Sequence, residues 1–371
     1  MGTLVTKQMR TASVTTAAPV AKPASIKPRH MPYGDAARVL GTIAVVIGHC
    51  CDMIVFSPHV TATDWWVCNI ADAASRWAVP VYVMLSGALL LDPHRSEAPS
   101  EFYSKRLARL GVPIVFWSAL YMWFSVHIKW ATPEQAWQNL AQGQPYAHLH
   151  FVFRIAGLYA FTPMLRVFLK HAEERMVALT VVLLLGLSTA NSMMSAWTGG
   201  ELSMFLRFTP FLGFYLLGYL LRERKISKRA LLGCWMLAIS CVLLLAGGTG
   251  LLSEIYNTRS YPSPAYVLYD FLSPVRITLA ICAWLIVVNT FDEKWFNSPL
   301  GKFNTKWLAP ATLGIYLVHL AFREVLFMNG FNAIWPNVWI GIPLNAAMVY
   351  IPSVIAVLIV MRIPFVRRIV V

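Results

Sequence analysis

His49 and Asp52 stand three residues apart in the apolar run ARVLGTIAVVIGHCCDMIVF, and no other pair is better placed to do acid–base chemistry. On a helix that spacing puts both side chains on one face. A carboxylate beside an imidazole sets its tautomer and raises its basicity, which suits a general base. The alternative is a histidine satisfied by a neighbouring backbone or hydroxyl group. At about 1.5 Å per residue His49 lies roughly 20 Å beyond Ala36, in the far half of a bilayer-spanning helix.

Other charged and imidazole side chains fall at similar depth: Arg76; His148, His150 and Arg154; Arg207; Asp270 and Arg276; His319, Arg323 and Glu324. Such groups cannot face lipid. They imply a polar cavity opening outward, or else pairwise satisfaction between helices. Bases outnumber acids among them, which points to an anionic or sugar-like ligand, or to a pore. A second group lies at the inner end. SKRLARLGVP sets Arg106 and Arg109 three apart on one face, and Arg38 enters the first span at matching depth. Paired guanidinium groups suit a phosphate-bearing ligand. Anchoring to lipid headgroups is the other reading, and spacing does not separate the two.

The elements that must hold these residues are membrane spans. Of 371 residues, 57% are hydrophobic and only 13% charged. Mean hydropathy is +0.58. That composition excludes a disordered regulator and an ordinary soluble enzyme. Apolar runs predict about ten spans, at 36–56, 73–91, 107–128, 148–169, 176–196, 202–222, 230–251, 266–290, 308–328 and 335–361. Their length and continuity favour helices over a barrel. The fold class is therefore all-α and polytopic. Of the 31 Lys and Arg, 24 fall on one side of this scheme, and the opposite loops hold only Lys129 and Arg259. The positive-inside rule then places both termini in the cytoplasm. The net charge of +14 is mostly topology, and no nucleic-acid partner is expected.

Residues 1–34 contain no acid, are rich in Ala, Thr, Pro and Lys, and read as a disordered cytoplasmic tail. Residues 35–371 read as one membrane domain. Met1-Gly2 with Thr6 fits the short myristoylation template, an anchor that ten spans do not need. The six cysteines show no zinc spacing and no disulfide framework, with Cys68 in an outer loop, and no metal is expected. There is no phosphate-binding Walker loop, nucleophile elbow or His-Glu-x-x-His motif.

Several segments, in order, resemble the acyltransferase-3 family of integral membrane acyltransferases, from about residue 33 to 361. DAARVLGTIAVVIGH carries Asp35, Arg38 and His49; VPVYVMLSGALLL carries the Ser86-Gly87 turn; FYSKRLARLGVP carries Arg106 and Arg109. AHLHFVFRIAGLYAFTP matches at His148, Tyr159 and Pro163, with His150 where the family usually has Trp. FLGFYLLGYLL and LGIYLVHL, the latter with His319, resemble later spans. The resemblance implies an acyl-CoA donor, His49 as the key catalytic residue, and Arg38, Arg106 and Arg109 as donor-binding or core-holding groups. It also implies transfer to extracytoplasmic glycans.

The expectation is an O-acyltransferase, an acetyltransferase, of the bacterial cytoplasmic membrane. It would move an acyl group from acetyl-CoA or another acyl-CoA to a sugar hydroxyl of a surface or lipid-linked polysaccharide. His49 would act as base with Asp52 as orienter, or form a covalent acyl-His. Arg38, Arg106 and Arg109 would bind the donor. Arg76, His148, His150, Arg154, Arg207, Arg276, His319 and Arg323 would face the acceptor. The alternative is a glycan or anion transporter, which would show helices broken in corresponding halves.

Overall fold

The computed structural model describes residues 31–370 except 96, 130 and 199–205, and the predicted tail and myristoylation template lie almost wholly outside them. The chain forms α1 (Pro32–Val55), α2 (Ala62–Ser75), α3 (Ala78–Leu90), α4 (Pro99–His127), α5 (Pro133–Ala141), α6 (His150–His171) and α7 (Glu174–Thr198). There follow α8 (Leu212–Leu220), α9 (Lys228–Ile255), α10 (Pro274–Thr290), α11 (Glu293–Asn297), α12 (Pro299–Phe303), α13 (Ala309–Met328) and α14 (Val338–Val360). No strand occurs among the described residues.

The starts of these helices follow local chemistry. Proline opens α1, α4, α5, α10 and α12, where its missing N–H costs nothing. Side chains of Thr61, Ser227, Ser273 and Asn337 accept from the first free amides of α2, α9, α10 and α14. Pro32 can begin a helix, and α1 starts there, within residues 1–34.

Among the described residues nine helical segments are long and apolar enough to cross a membrane. Of the predicted sixth span, residues 202–205 lie outside the described residues, and the rest holds a short apolar helix, Thr209–Leu220. The second span runs from Ala62 rather than residue 73, so Arg76 sits at a break within it and not at its outer edge. Cys68, expected in a loop, is fully buried on α2. The ninth span reaches back to Pro299.

The packing is that of a protein in lipid. Large apolar side chains such as Leu187, Leu243 and Trp339 point outward, whereas Asn69, Thr249 and His319 are fully buried. Some buried polar groups find backbone partners, as where Asn69 Nδ2 donates to Ala246 O at 2.9 Å and Arg166 Nε to Leu90 O at 2.8 Å. Helix α1 is central, packed on α2, α3, α10, α13 and α14. Helices α3 and α8 cross at two reciprocal glycines. A Cβ on Gly87 would lie 1.8 Å from Tyr215 O, and one on Gly218 would lie 1.9 Å from Met84 O. Only glycine permits that approach.

Two spans are interrupted at the same place. One breaks at Arg76, between α2 and α3; the other has a 3-10 turn, Pro264–Tyr269, then extended backbone at Asp270 before α10. Arg276 closes both breaks: Nε donates to Arg76 O at 2.9 Å and Nη1 to Tyr269 O at 2.6 Å. Arg76 Nη1 also reaches Tyr269 O, at 3.3 Å, and its other end pairs with Asp72. Carbonyls freed by the breaks are thus satisfied inside the chain.

Candidate active site

Helix α1 carries both ends of the site, Arg38 near its start and His49 eleven residues later, roughly 16 Å along the axis. His49 Nδ1 lies 2.9 Å from Asp52 Oδ2. A carboxylate only accepts, so Nδ1 carries the proton and Nε2 keeps its lone pair. Arg323 of α13 holds the other oxygen: its Nη1 donates to Asp52 Oδ1 at 3.1 Å and to His49 O at 2.9 Å. Asp52 is therefore gripped from two helices and cannot turn away from the imidazole.

Two further histidines pack beside this pair. The His49 and His319 rings are 5.4 Å apart, and those of His319 and His148 5.2 Å. His319 Nδ1 donates to Tyr316 O at 2.6 Å, and His148 Nε2 to Leu317 O at 3.2 Å. Both rings are fully buried, and the second nitrogen of each has no partner. Each imidazole spends its one proton on a carbonyl and presents a lone pair within a buried cluster. Buried acceptors without partners are uncommon enough to mark a place for a donor group.

Toward the Arg38 end lies a cavity of about 210 Å³. Arg38, Arg106 and Arg109 line it, with Leu85, Leu89, Leu110, Val152 and Ile155 forming an apolar wall. Arg38 Nη1 also pairs with Asp35 at 2.6 Å. The Arg106 guanidinium sits 4.8 Å from the Phe102 ring centre, with Nε buried and unpartnered. Tyr82, Phe151 and Tyr316 close the far end. Their rings follow one another at 5.9 and 5.5 Å, and Tyr316 is 5.8 Å from His319. The Tyr82 hydroxyl meets Thr42 Oγ1 at 2.5 Å, and the Tyr316 hydroxyl bonds His148 O. An aromatic roof thus separates the arginine cavity from the histidine cluster.

The remaining predicted residues fall outside the His49 cluster. His150, Arg154 and Arg276 surround Phe271, with centre distances of 5.7, 5.0 and 3.9 Å. Arg154 also faces Phe211 at 4.8 Å, and its Nε and Nη1 have no hydrogen-bond partner. Arg76 is tied into the helix breaks beside this group. Arg207 donates to Gln144 Oε1 at 3.1 Å. Sequence reasoning noted Glu324 but gave it no role, and it passed over Tyr146, Tyr82 and Tyr316. The adjacent Arg-Glu pair within an apolar run was the available signal for Glu324. Nothing local marks Tyr146. No group of His, Cys, Asp and Glu among the described residues is arranged to hold a metal ion.

A family model described as an acyltransferase domain matches residues 31–362, from α1 through α14. The chain belongs to the acyltransferase-3 family. It is a multi-pass, all-helical membrane member of that family, and its chemistry is acyl transfer. No curated protein and no solved structure matches the chain. In this acyltransferase Arg38, Arg106 and Arg109 line one cavity, and Tyr316, which also lines it, is 5.8 Å from His319, the ring that packs on His49.

Proposed function

We propose that this protein is an O-acyltransferase of the bacterial cytoplasmic membrane that moves an acetyl group from cytoplasmic acetyl-CoA to a sugar hydroxyl of a surface or lipid-linked polysaccharide. With the segment at 202–222 as a tenth crossing, both termini lie in the cytoplasm. The observation that carries the reading is His49, whose Nδ1 is committed to Asp52 at 2.9 Å and whose Nε2 is free to take a proton.

The inner cavity suits the donor by its chemistry. Three guanidinium groups can bind phosphates, and the apolar wall accepts an uncharged arm. The roof of Tyr82, Phe151 and Tyr316 must part for the thioester to reach His49. On the outer side the acceptor hydroxyl gives its proton to His49 Nε2 as its oxygen attacks the thioester carbonyl. The new C–O bond forms, the C–S bond breaks, and the thiolate leaves with CoA and takes up the proton. Asp52 keeps the imidazole in the required tautomer and offsets the charge it gains. His148, His150, Arg154, Arg276 and Arg76 form the acceptor side, with Arg207 at its edge.

A second reading, export of a glycan or anion, draws on the paired interruptions at Arg76 and Asp270, since transporters often place broken helices at the binding site. Against it, Arg276 and Arg76 cap the freed carbonyls, leaving them occupied rather than open to a solute. The test is release of free CoA from acetyl-CoA by purified protein in proteoliposomes with the membrane glycan fraction supplied. Wild type should release CoA and His49→Ala should not. Equal release by the two overturns the role of His49, and none from folded wild type over varied acceptors favours export.

A further inference from the structure

We infer that Glu324 is a positioning residue, which ties the outer segment between α4 and α6 to the His49 site. The inference rests on the acyl-transfer reading above. Glu324 is only 2% exposed and serves three partners. Its Oε1 accepts from Arg323 Nη2 at 2.5 Å and from the Tyr146 hydroxyl at 2.9 Å. Its Oε2 forms an ion pair with the Lys129 ammonium.

Lys129 and Tyr146 mark the two ends of one excursion. Lys129 stands just past His127, where α4 ends, and Tyr146 just before His150, where α6 begins. Helix α5 lies between them. One buried carboxylate therefore fastens both ends of the segment. The Tyr146 ring stacks on Tyr121 at 4.6 Å, and the Tyr121 hydroxyl donates to Leu317 O at 2.9 Å, close to His319. Near the same end, Gln144 accepts from Arg207.

On its inner side the clasp reaches the chemistry in one step. Arg323 gives one arm to Glu324 and the other to Asp52 and His49 O. Its guanidinium is planar and rigid, so fixing one edge fixes the other. Glu324 thus sets where Arg323 holds Asp52, and Asp52 sets the tautomer of His49. Burial of the carboxylate is offset because three donors surround it. A lid that opened for an acceptor would have to release Lys129 and Tyr146 from the residue that aligns the base.

The test compares wild type with Glu324→Gln, Glu324→Asp and Lys129→Ala in proteoliposomes. It follows CoA release from acetyl-CoA with the membrane glycan fraction present, and amide exchange over residues 131–145. Glu324→Gln should lower kcat about tenfold, the loss of one buried charged hydrogen bond. Donor KM should stay unchanged, because the arginine cavity is untouched. Glu324→Asp should recover part of kcat. Lys129→Ala should speed exchange over 131–145 while α1 keeps its protection. Wild-type kcat in Glu324→Gln overturns the inference. So does a joint change of kcat and KM with faster exchange throughout α1 and α13, which is general loosening. If wild type releases no CoA, the acyl-transfer reading fails, and the exchange data alone judge the clasp: unchanged exchange over 131–145 in Lys129→Ala and Glu324→Gln overturns it.

Discussion

His49 Nδ1 lies 2.9 Å from Asp52 Oδ2, and the second oxygen of that carboxylate is held by Arg323 from another helix. The pair is local in sequence, but its rigidity is not. A carboxylate fixed by an arginine cannot swing to other donors, so the imidazole keeps one tautomer with Nε2 open.

Asp52→Asn should keep the shape and lose the function. An amide can donate to Nδ1, which turns the ring to the tautomer that carries its proton on Nε2. CoA release should fall by at least about a hundredfold, the scale of a lost general base. Steady-state kinetics of folded protein checks this, and a rate within threefold of wild type would show that Asp52 does not orient His49.

Arg106→Ala combined with Arg109→Ala should act on the donor. Both side chains line the cavity with Arg38. Loss of two charge-assisted contacts should raise the KM for acetyl-CoA roughly tenfold or more, with kcat at saturating donor little changed. If the yield of protein in the membrane falls and KM does not move, these residues are anchors.

Gly87→Ala should damage the fold. Its Cβ would lie 1.8 Å from Tyr215 O, and backbone cannot move aside as a side chain can. The helices α3 and α8 would have to separate, at a cost of about 1–3 kcal/mol or more. A thermal melt in detergent reads this. Gly233→Ala on α9, which meets nothing within 4 Å, is the control and should melt like wild type.

Single cysteines at Arg259 and Lys294 should react from opposite faces of the membrane. Of the native cysteines five are buried and Cys234 is half-buried, so background labelling is low. With both termini cytoplasmic, Arg259→Cys should react with a membrane-impermeant maleimide in cells whose outer membrane is permeabilised. Lys294→Cys should react only after lysis. The reverse pattern would invert the topology.

The sequence alone determined the class of molecule. Long apolar runs can only be satisfied as helices in lipid, and that physics is local to each run. The depth of Arg38 and His49 followed from counting residues along one helix. The i,i+3 spacing of His49 and Asp52 sufficed to pair them, because a helix has a fixed pitch. The breaks were not legible. Arg76 read as the start of a span and Asp270 as a residue within the outer half of one, because hydropathy averages over a window and cannot see a turn within it. What stabilises those breaks is Arg276, 200 residues from Arg76.

Only the tertiary structure decided which of the many basic residues share a site. Arg323 joins His49, Arg154 joins Phe271, and Arg207 bonds Gln144, although all three lay at one predicted depth. Depth is one coordinate, set by position along a helix. Azimuth and neighbours are set by how helices pack, through contacts such as the crossing of Gly87 and Gly218. The role of Glu324 depended on that packing as well. Its partners Lys129 and Tyr146 are far from it in sequence, and meet it only because α4, α6 and α13 bring their ends together.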